Sequence, residues 1–353
     1  MHAIDEHLQQ LIAKQGSDLH LVAGQPIRLR VFGDLQPIST DVLTAEDARE
    51  LLLPLMSAQI QKEFEAHDAA DFAYTLEDLA RFRVNIFQHL GGMGAVFRGI
   101  PSQAKTLKEL EMPAVVDNLC LVSQGMILVT GKTGSGKSTT LAAMIDALND
   151  RLNGHILTIE DPIEFVHKRK RCLISQREVG RHSASFADAL HSALREDPDV
   201  ILVGEMRDLE TISIAVTAAE MGILVMGTLH TNGAAATVDR IVNSFPSDKQ
   251  PHVRTMLSTS LRGVVSQQLL KRRDKPGRVA ALEILINTPA VANLIRNGKL
   301  DQLENAMQSG RQQGLCTMDS SLKSLADKGV ISGRVAYEAA IEKRNLENYR
   351  DLD

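Results

Sequence analysis

Residues 131–138 run Gly131, Lys132, Thr133, Gly134, Ser135, Gly136, Lys137, Ser138, between an aliphatic run at 126–130 and a helix-forming stretch at 139–145. Strand, glycine-rich loop and helix in that order form the phosphate-cradling arrangement called a P-loop. The glycines let successive backbone N–H groups curl inward, and the positive end of the following helix points the same way. Lys137 would reach the β- and γ-phosphates of a nucleoside triphosphate, and the Ser138 hydroxyl would ligate Mg²⁺. The expected ATP contacts are Gly131, Thr133, Gly134, Ser135, Gly136, Lys137, Ser138 and Thr139.

The 353 residues are too many for one typical core and suggest two domains. A net charge of −5 does not favour a dedicated nucleic-acid binder. The basic runs at 167–171 and 271–273 lack interleaved aromatics, so a solvated surface explains them and no nucleic acid is expected as a partner. The start shows no basic segment followed by an apolar one, and no apolar run approaches the ~20 residues a bilayer requires, so a cytoplasmic protein is expected. Cys120, Cys172 and Cys316 stand apart, suggesting neither a disulfide framework nor a metal knuckle.

The first hundred residues read as a mixed α/β module. Strands are expected at 19–22 and 28–32, with a turn at Gly33 and Asp34. Thr44 and Asp47 have capping-box spacing for a helix that Pro54 interrupts, and a second helix is expected near 58–64. Residues 81–87 alternate, with Phe82, Val84 and Ile86 on one face and Arg81, Arg83 and Asn85 on the other. Residues 91–94 are read as the turn into a partner strand ending at Arg98. Parity alone makes these arginines the solvated side of a hairpin.

Residues 101–113 read as a linker, with Pro101, Ser102 and Gln103 at its start. Beyond the P-loop, strands at 155–159, 200–203 and 224–228 alternate with helical patterns, which predicts a largely parallel sheet covered on both faces. From Pro251 onward the chain is expected to be mostly helical, with a short strand at 279–285.

Glu205 follows the apolar strand at 200–203 and so stands at a parallel strand's carboxyl end, the Walker B position. Gly204 takes the place of the usual aspartate before it. A second acidic cluster, Glu160, Asp161 and Glu164, caps another central strand and should face the same crevice. At least one of these acids is expected to be structural. His230 ends the strand at 224–228, where a polar residue could sense a γ-phosphate.

Together these residues resemble the secretion ATPase superfamily, and most closely the PilT-type retraction ATPases of bacterial type IV pili. The resemblance includes SDLHL at 17–21, ARFRVN at 80–85, the P-loop, IEDPIE at 159–164, LREDPD at 194–199, GEMRD at 204–208 and GTLHT at 227–231. It implies a PAS-like amino-terminal α/β domain at 1–100 and a RecA-like P-loop ATPase domain at 114–353 with a helical carboxyl-terminal region. The resemblance further implies a homohexamer with ATP between the domains, peripheral at the inner face of the inner membrane. Its implied partners are an inner-membrane pilus platform protein and, in some machines, a second retraction motor.

Carried onto matching positions, Glu160 and Asp161 join Ser138 and Glu205 at Mg²⁺, Glu164 acts as base for the attacking water, and His230 belongs to the histidine motif. Arg81, Arg83 and Arg98 fall where the family supplies arginines to the phosphates. Assembly and type II secretion motors usually carry a four-cysteine zinc module that this chain lacks, which favours retraction. Two departures stand out: Ile223 occupies a common histidine position, and AVANLIRN at 290–297 lacks an arginine and the terminal glutamate of the retraction-linked segment. An accessory pilus motor or a type IV-like secretion ATPase is the alternative within the superfamily. A nucleic-acid translocase and a non-hydrolysing ring subunit are the alternatives outside that reading. If Arg83 is an arginine finger, Arg83→Ala cuts steady-state phosphate release about 10³-fold or more; ordinary turnover removes the assignment.

Overall fold

Two sheets organise the computed structural model, which describes residues 2–14, 16–31, 34–76, 79–100 and 104–352. They belong to two units, 1–103 and 104–353. The expected strand end at Phe32, the turn residue Gly33 and the linker residues Pro101, Ser102 and Gln103 lie outside the described residues.

In the first unit, β1 (Asp18–Val22), β2 (Pro26–Val31), β3 (Asp34–Val42), β4 (Ala69–Leu76), β5 (Ala80–His89) and β6 (Gly92–Ile100) form one antiparallel sheet. Its order is β3-β2-β1-β6-β5-β4. Alternation places Leu19, Leu21, Leu29, Phe82, Val84, Ile86 and Phe97 in one core. Helices Asp5–Ala13, Ala45–Leu52 and Ala58–His67 accompany the sheet. The capping box is present: Thr44 accepts from the Asp47 N–H at 3.1 Å, and Asp47 accepts from the Thr44 N–H at 2.9 Å.

The turn expected at 91–94 is corrected. His89 pairs with Gly92, so the chain reverses at Leu90 and Gly91, and Gly92 and Gly94 already belong to β6. Gly94 is needed for packing, because a Cβ there would lie 2.7 Å from the Phe87 ring. The polar edge strand β3, exposed along nearly its whole length, carried no alternation from which to expect it.

The second unit contains β7 (Gly125–Thr130), β8 (His155–Glu160), β9 (Leu173–Glu178), β10 (Val200–Val203), β11 (Leu224–Leu229), β12 (Leu261–Lys271) and β13 (Arg278–Ile286). The order is β13-β12-β7-β11-β10-β8-β9, with only the β12–β13 pair antiparallel. β7, β10 and β11 are buried at every residue, as parallel strands covered on both faces must be. Two apolar clusters flank this RecA-like core. Leu107 is buried in one of them, with Leu110 and Met112 packed alongside.

A third cluster, including Met318, Leu322, Ile331 and Leu346, joins the carboxyl-terminal helices to β13. The mostly helical expectation from Pro251 onward therefore fails at β12, an eleven-residue strand. Ser266 and Gln267 interrupt its apolar run although both are buried. Among the described residues, no helix is long and apolar enough to cross a membrane.

Candidate active site

Parallel pairing aligns Leu128, Gly227, Val203 and Ile159 across β7, β11, β10 and β8. Just beyond that row come the P-loop, His230, Glu205 and the loop from Glu160 to Glu164. β10 and β11 lie between β7 and β8, so the carboxyl ends of four parallel strands border one edge of the sheet, where open α/β sheets bind ligands. The crevice has a volume of about 490 Å³ and is lined by Lys137, Ser138, Asp161, Glu164, Glu205 and His230 among others.

The P-loop joins β7 to helix Lys137–Arg151, with Gly131, Gly134 and Gly136 at φ +140°, +79° and +89°. Gly131 is also required by space, since a Cβ would lie 2.4 Å from the Gln267 carbonyl oxygen. Lys137 is buried, and its Nζ donates to the carbonyls of Gly131 at 3.0 Å and Lys132 at 3.2 Å. Burial lowers its pKa, while Glu205 and Glu164 oppose that shift. Ser135 is buried with its Oγ unpartnered among the described residues. Ser138 and Thr139 stand half-buried in the helix's first turn.

The acids divide by environment. Glu160 Oε1 accepts from Thr158 Oγ1 at 2.6 Å and Gln176 Nε2 at 3.2 Å, and its Oε2 accepts from the Glu164 N–H at 3.4 Å. Burial raises its pKa against those hydrogen bonds. It anchors the loop on which Asp161 and Glu164 stand exposed.

Glu205 is gripped by Arg207, with Nη2 2.6 Å from Oε2 and Nε 2.5 Å from Oε1, and His230 Nε2 lies 2.9 Å from Oε1. Burial pushes the Glu205 pKa up, but the Arg207 hydrogen bond and the charges of His230, Arg207 and Lys137 bring it below the ordinary value. The Glu205 turn is pinned to β11 by Thr228 Oγ1 donating to the Gly204 carbonyl at 2.6 Å and by the Met206 N–H donating to the Thr228 carbonyl at 3.0 Å. Gly204 is explained by crowding: a Cβ would lie 3.0 Å from the Ile159 carbonyl oxygen.

Two residues with roles here were missed. Gln267, on β12, donates from Nε2 to the Ser135 carbonyl at 2.6 Å and accepts from Thr140 Oγ1 at 3.0 Å, tying the P-loop and the first turn of its helix to β12. Arg207 lay inside a recognised block without a role. The buried polar interruption in the run at 261–271 was the available signal for Gln267. Ile223, at the family's histidine position, packs against the apolar core, and its carbonyl accepts the Gly125 N–H at 3.1 Å.

The arginines belong to the first unit. Arg83 is paired in register with Arg98; Arg83 Nε lies 3.7 Å from Asp71, and Arg98 Nε donates to buried Asp18 at 2.7 Å. Arg81 is half-buried on β5. By parity their side chains share one face of the sheet, on which Arg83 and Arg98 are exposed.

The crevice suits a triphosphate: Thr133, Gly134 and the first turn of the following helix line it together with the buried Lys137 ammonium and the carboxylates of Asp161, Glu164 and Glu205. Among the described residues, no three or more His, Cys, Asp or Glu form a metal cage. Mg²⁺ is generally held by one or two carboxylates with phosphate oxygens and water, and Ser138 with Glu205 suits that pattern.

Residues 1–315 match the family described as Type II/IV secretion system protein. The type IV pilus retraction ATPase PilT of Pseudomonas aeruginosa is 54% identical over 329 residues, 93% of this chain and 95% of that protein. A twitching motility protein of Neisseria gonorrhoeae is 53% identical over 318 residues, 90% of this chain and 85% of that one. The crystal structure of the pilus retraction motor PilT with bound ADP superposes with a TM-score of 0.92 at 45% identity, over 98% of this chain and 99% of that one.

Gln267→Leu leaves the Ser135 carbonyl and the Thr140 hydroxyl without their partner. Unmade buried hydrogen bonds cost about 1–3 kcal/mol, so nucleotide Kd should rise roughly tenfold in a fluorescent-nucleotide titration. An unchanged Kd removes Gln267 from the P-loop's support.

Proposed function

The chain belongs to the type II/IV secretion system protein family and, within it, to the PilT-type retraction ATPases, and from that premise we infer that it hydrolyses ATP to drive type IV pilus retraction. The observation that carries the reading is 54% identity along 93% of the chain to a retraction ATPase, joined to a P-loop, an acidic loop and Glu205 at one sheet edge.

The P-loop N–H groups hold the phosphates, and Lys137 exchanges its two carbonyl acceptors for phosphate oxygens. Ser138 and Glu205 would hold Mg²⁺, with Asp161 lining the same crevice, and Glu160 orients the acidic loop. Bound Mg²⁺ would neutralise charge on the β- and γ-phosphates. Glu164, exposed in the crevice, takes the proton of the attacking water. His230 and Arg207 fix the Glu205 carboxylate, which gives the histidine a position from which to report the γ-phosphate.

The amino-terminal unit is read as PAS-like, a reading its helix-flanked antiparallel sheet supports. Arg81, Arg83 and Arg98 are read as the arginines that would neutralise phosphate charge, which would couple hydrolysis to motion. The working form is a homohexamer at the cytoplasmic face of the inner membrane, passing force to a pilus platform protein and able to share the task with a second motor.

Deleting the gene should leave cells with excess surface pili and no twitching, cured by the wild-type copy and not by Glu205→Gln. Bald or normally piliated deletion cells, counted by electron microscopy, contradict the retraction assignment.

A further inference from the structure

A buried carboxylate outside the crevice joins two helix starts to the histidine loop. Glu283, on β13, is 5% exposed. Its Oε1 accepts the Ala234 N–H at 2.7 Å and its Oε2 accepts the Met318 N–H at 3.4 Å. Ala234 and Met318 open the helices Ala234–Asn243 and Met318–Asp327, so a single carboxylate faces the positive ends of both. A carboxylate removed from water needs such donors to remain there.

The residues just before Ala234 are held from several sides. Gly233, at φ +93°, donates its N–H to Ser266 Oγ at 2.9 Å, and a Cβ there would lie 3.2 Å from Glu283 Oε1. Thr237 Oγ1 donates to the Gly233 carbonyl at 2.7 Å and stands 2.7 Å from Thr231 Oγ1. This short loop starts at His230, whose Nε2 lies 2.9 Å from Glu205 Oε1. Only Thr231 and Asn232 separate Gly233 from His230.

On the other side, Met318 is followed by buried Asp319, which accepts the N–H groups of Ile341 at 2.9 Å and Glu342 at 3.1 Å and the Asn345 amide at 2.9 Å. The helix start held by Glu283 therefore also anchors the last turns of the chain. A shift of those turns reaches Glu283 through adjacent residues.

We propose that Glu283 is a positioning residue that sets His230 against Glu205 by clamping the Ala234 and Met318 amides, and so makes ATP turnover depend on the carboxyl-terminal helices. The proposal rests on the ATPase reading above. It predicts a kcat effect that passes through His230, because Glu283 is absent from the crevice lining and the P-loop is braced separately by Gln267.

The test is a double-mutant cycle on the full-length protein, measuring steady-state ATP hydrolysis and fluorescent-ADP binding for wild type, Glu283→Gln, His230→Ala and the pair. Glu283→Gln should lower kcat about tenfold, the scale of coupling between groups in one network, with ADP affinity nearly unchanged. In the His230→Ala background the same substitution should have little further effect on kcat. Equal losses in both backgrounds, or a loss of ADP affinity matching that of kcat, overturn the proposal while leaving the ATPase reading intact. Wild-type protein that binds ADP without hydrolysing ATP overturns both. If Glu283→Gln does not fold, Ser266→Ala loosens the same loop through its separate bond to Gly233. It should show the same dependence on His230, and additivity there refutes the clamp.

Discussion

Parallel pairing of β7 between β12 and β11 is the constraint on which the rest of the second unit depends. Every residue of β7 is buried, so its backbone groups must be paired with neighbouring strands, and the pairing fixes where Thr130 ends and the glycine loop begins. The same register brings β8, β10 and β11 to a common edge, which is why four stretches distant in sequence face one crevice. β12 contributes twice: Val264 and Val265 lie in the flanking cores, and Gln267 braces the loop.

Within the crevice, charge is balanced by arrangement rather than by direct pairing of every group. The Lys137 ammonium is buried on backbone carbonyls with Glu205 and Glu164 near enough to oppose the desolvation, so it is held ready for an anion. Glu205 is kept ionised by Arg207, His230 and Lys137 despite its burial. Glu160, hydrogen-bonded by Thr158, Gln176 and the Glu164 N–H, ties its loop to β8 and β9. His167, on the crevice wall, is lowered to about 4 by burial, with Lys170 adding to the shift and Asp146 opposing it, and is neutral near pH 7.

The site was readable where function coincides with a strand end. An apolar run followed by glycines, Glu205 or His230 announces a parallel strand and the edge it reaches, and the capping box at Thr44 announced its helix by spacing alone. Residues that act from inside strands were not readable in this way. Ser266, Gln267 and Glu283 are polar, so they obscure the apolar pattern of the elements they occupy, and their partners lie far away in sequence. Gly94 misled for a related reason, because a glycine that makes room for the Phe87 ring looks like a glycine that makes a turn.

The proposed function has this crevice cleave ATP with the acidic loop beside the P-loop. Single-turnover hydrolysis by the purified chain, mixed with substoichiometric Mg²⁺-ATP and quenched over time, tests it most directly when wild type is compared with Glu164→Gln. Rapid phosphate release by wild type, with bound and uncleaved ATP in the variant, is the predicted result. Equal release by the two proteins would contradict it.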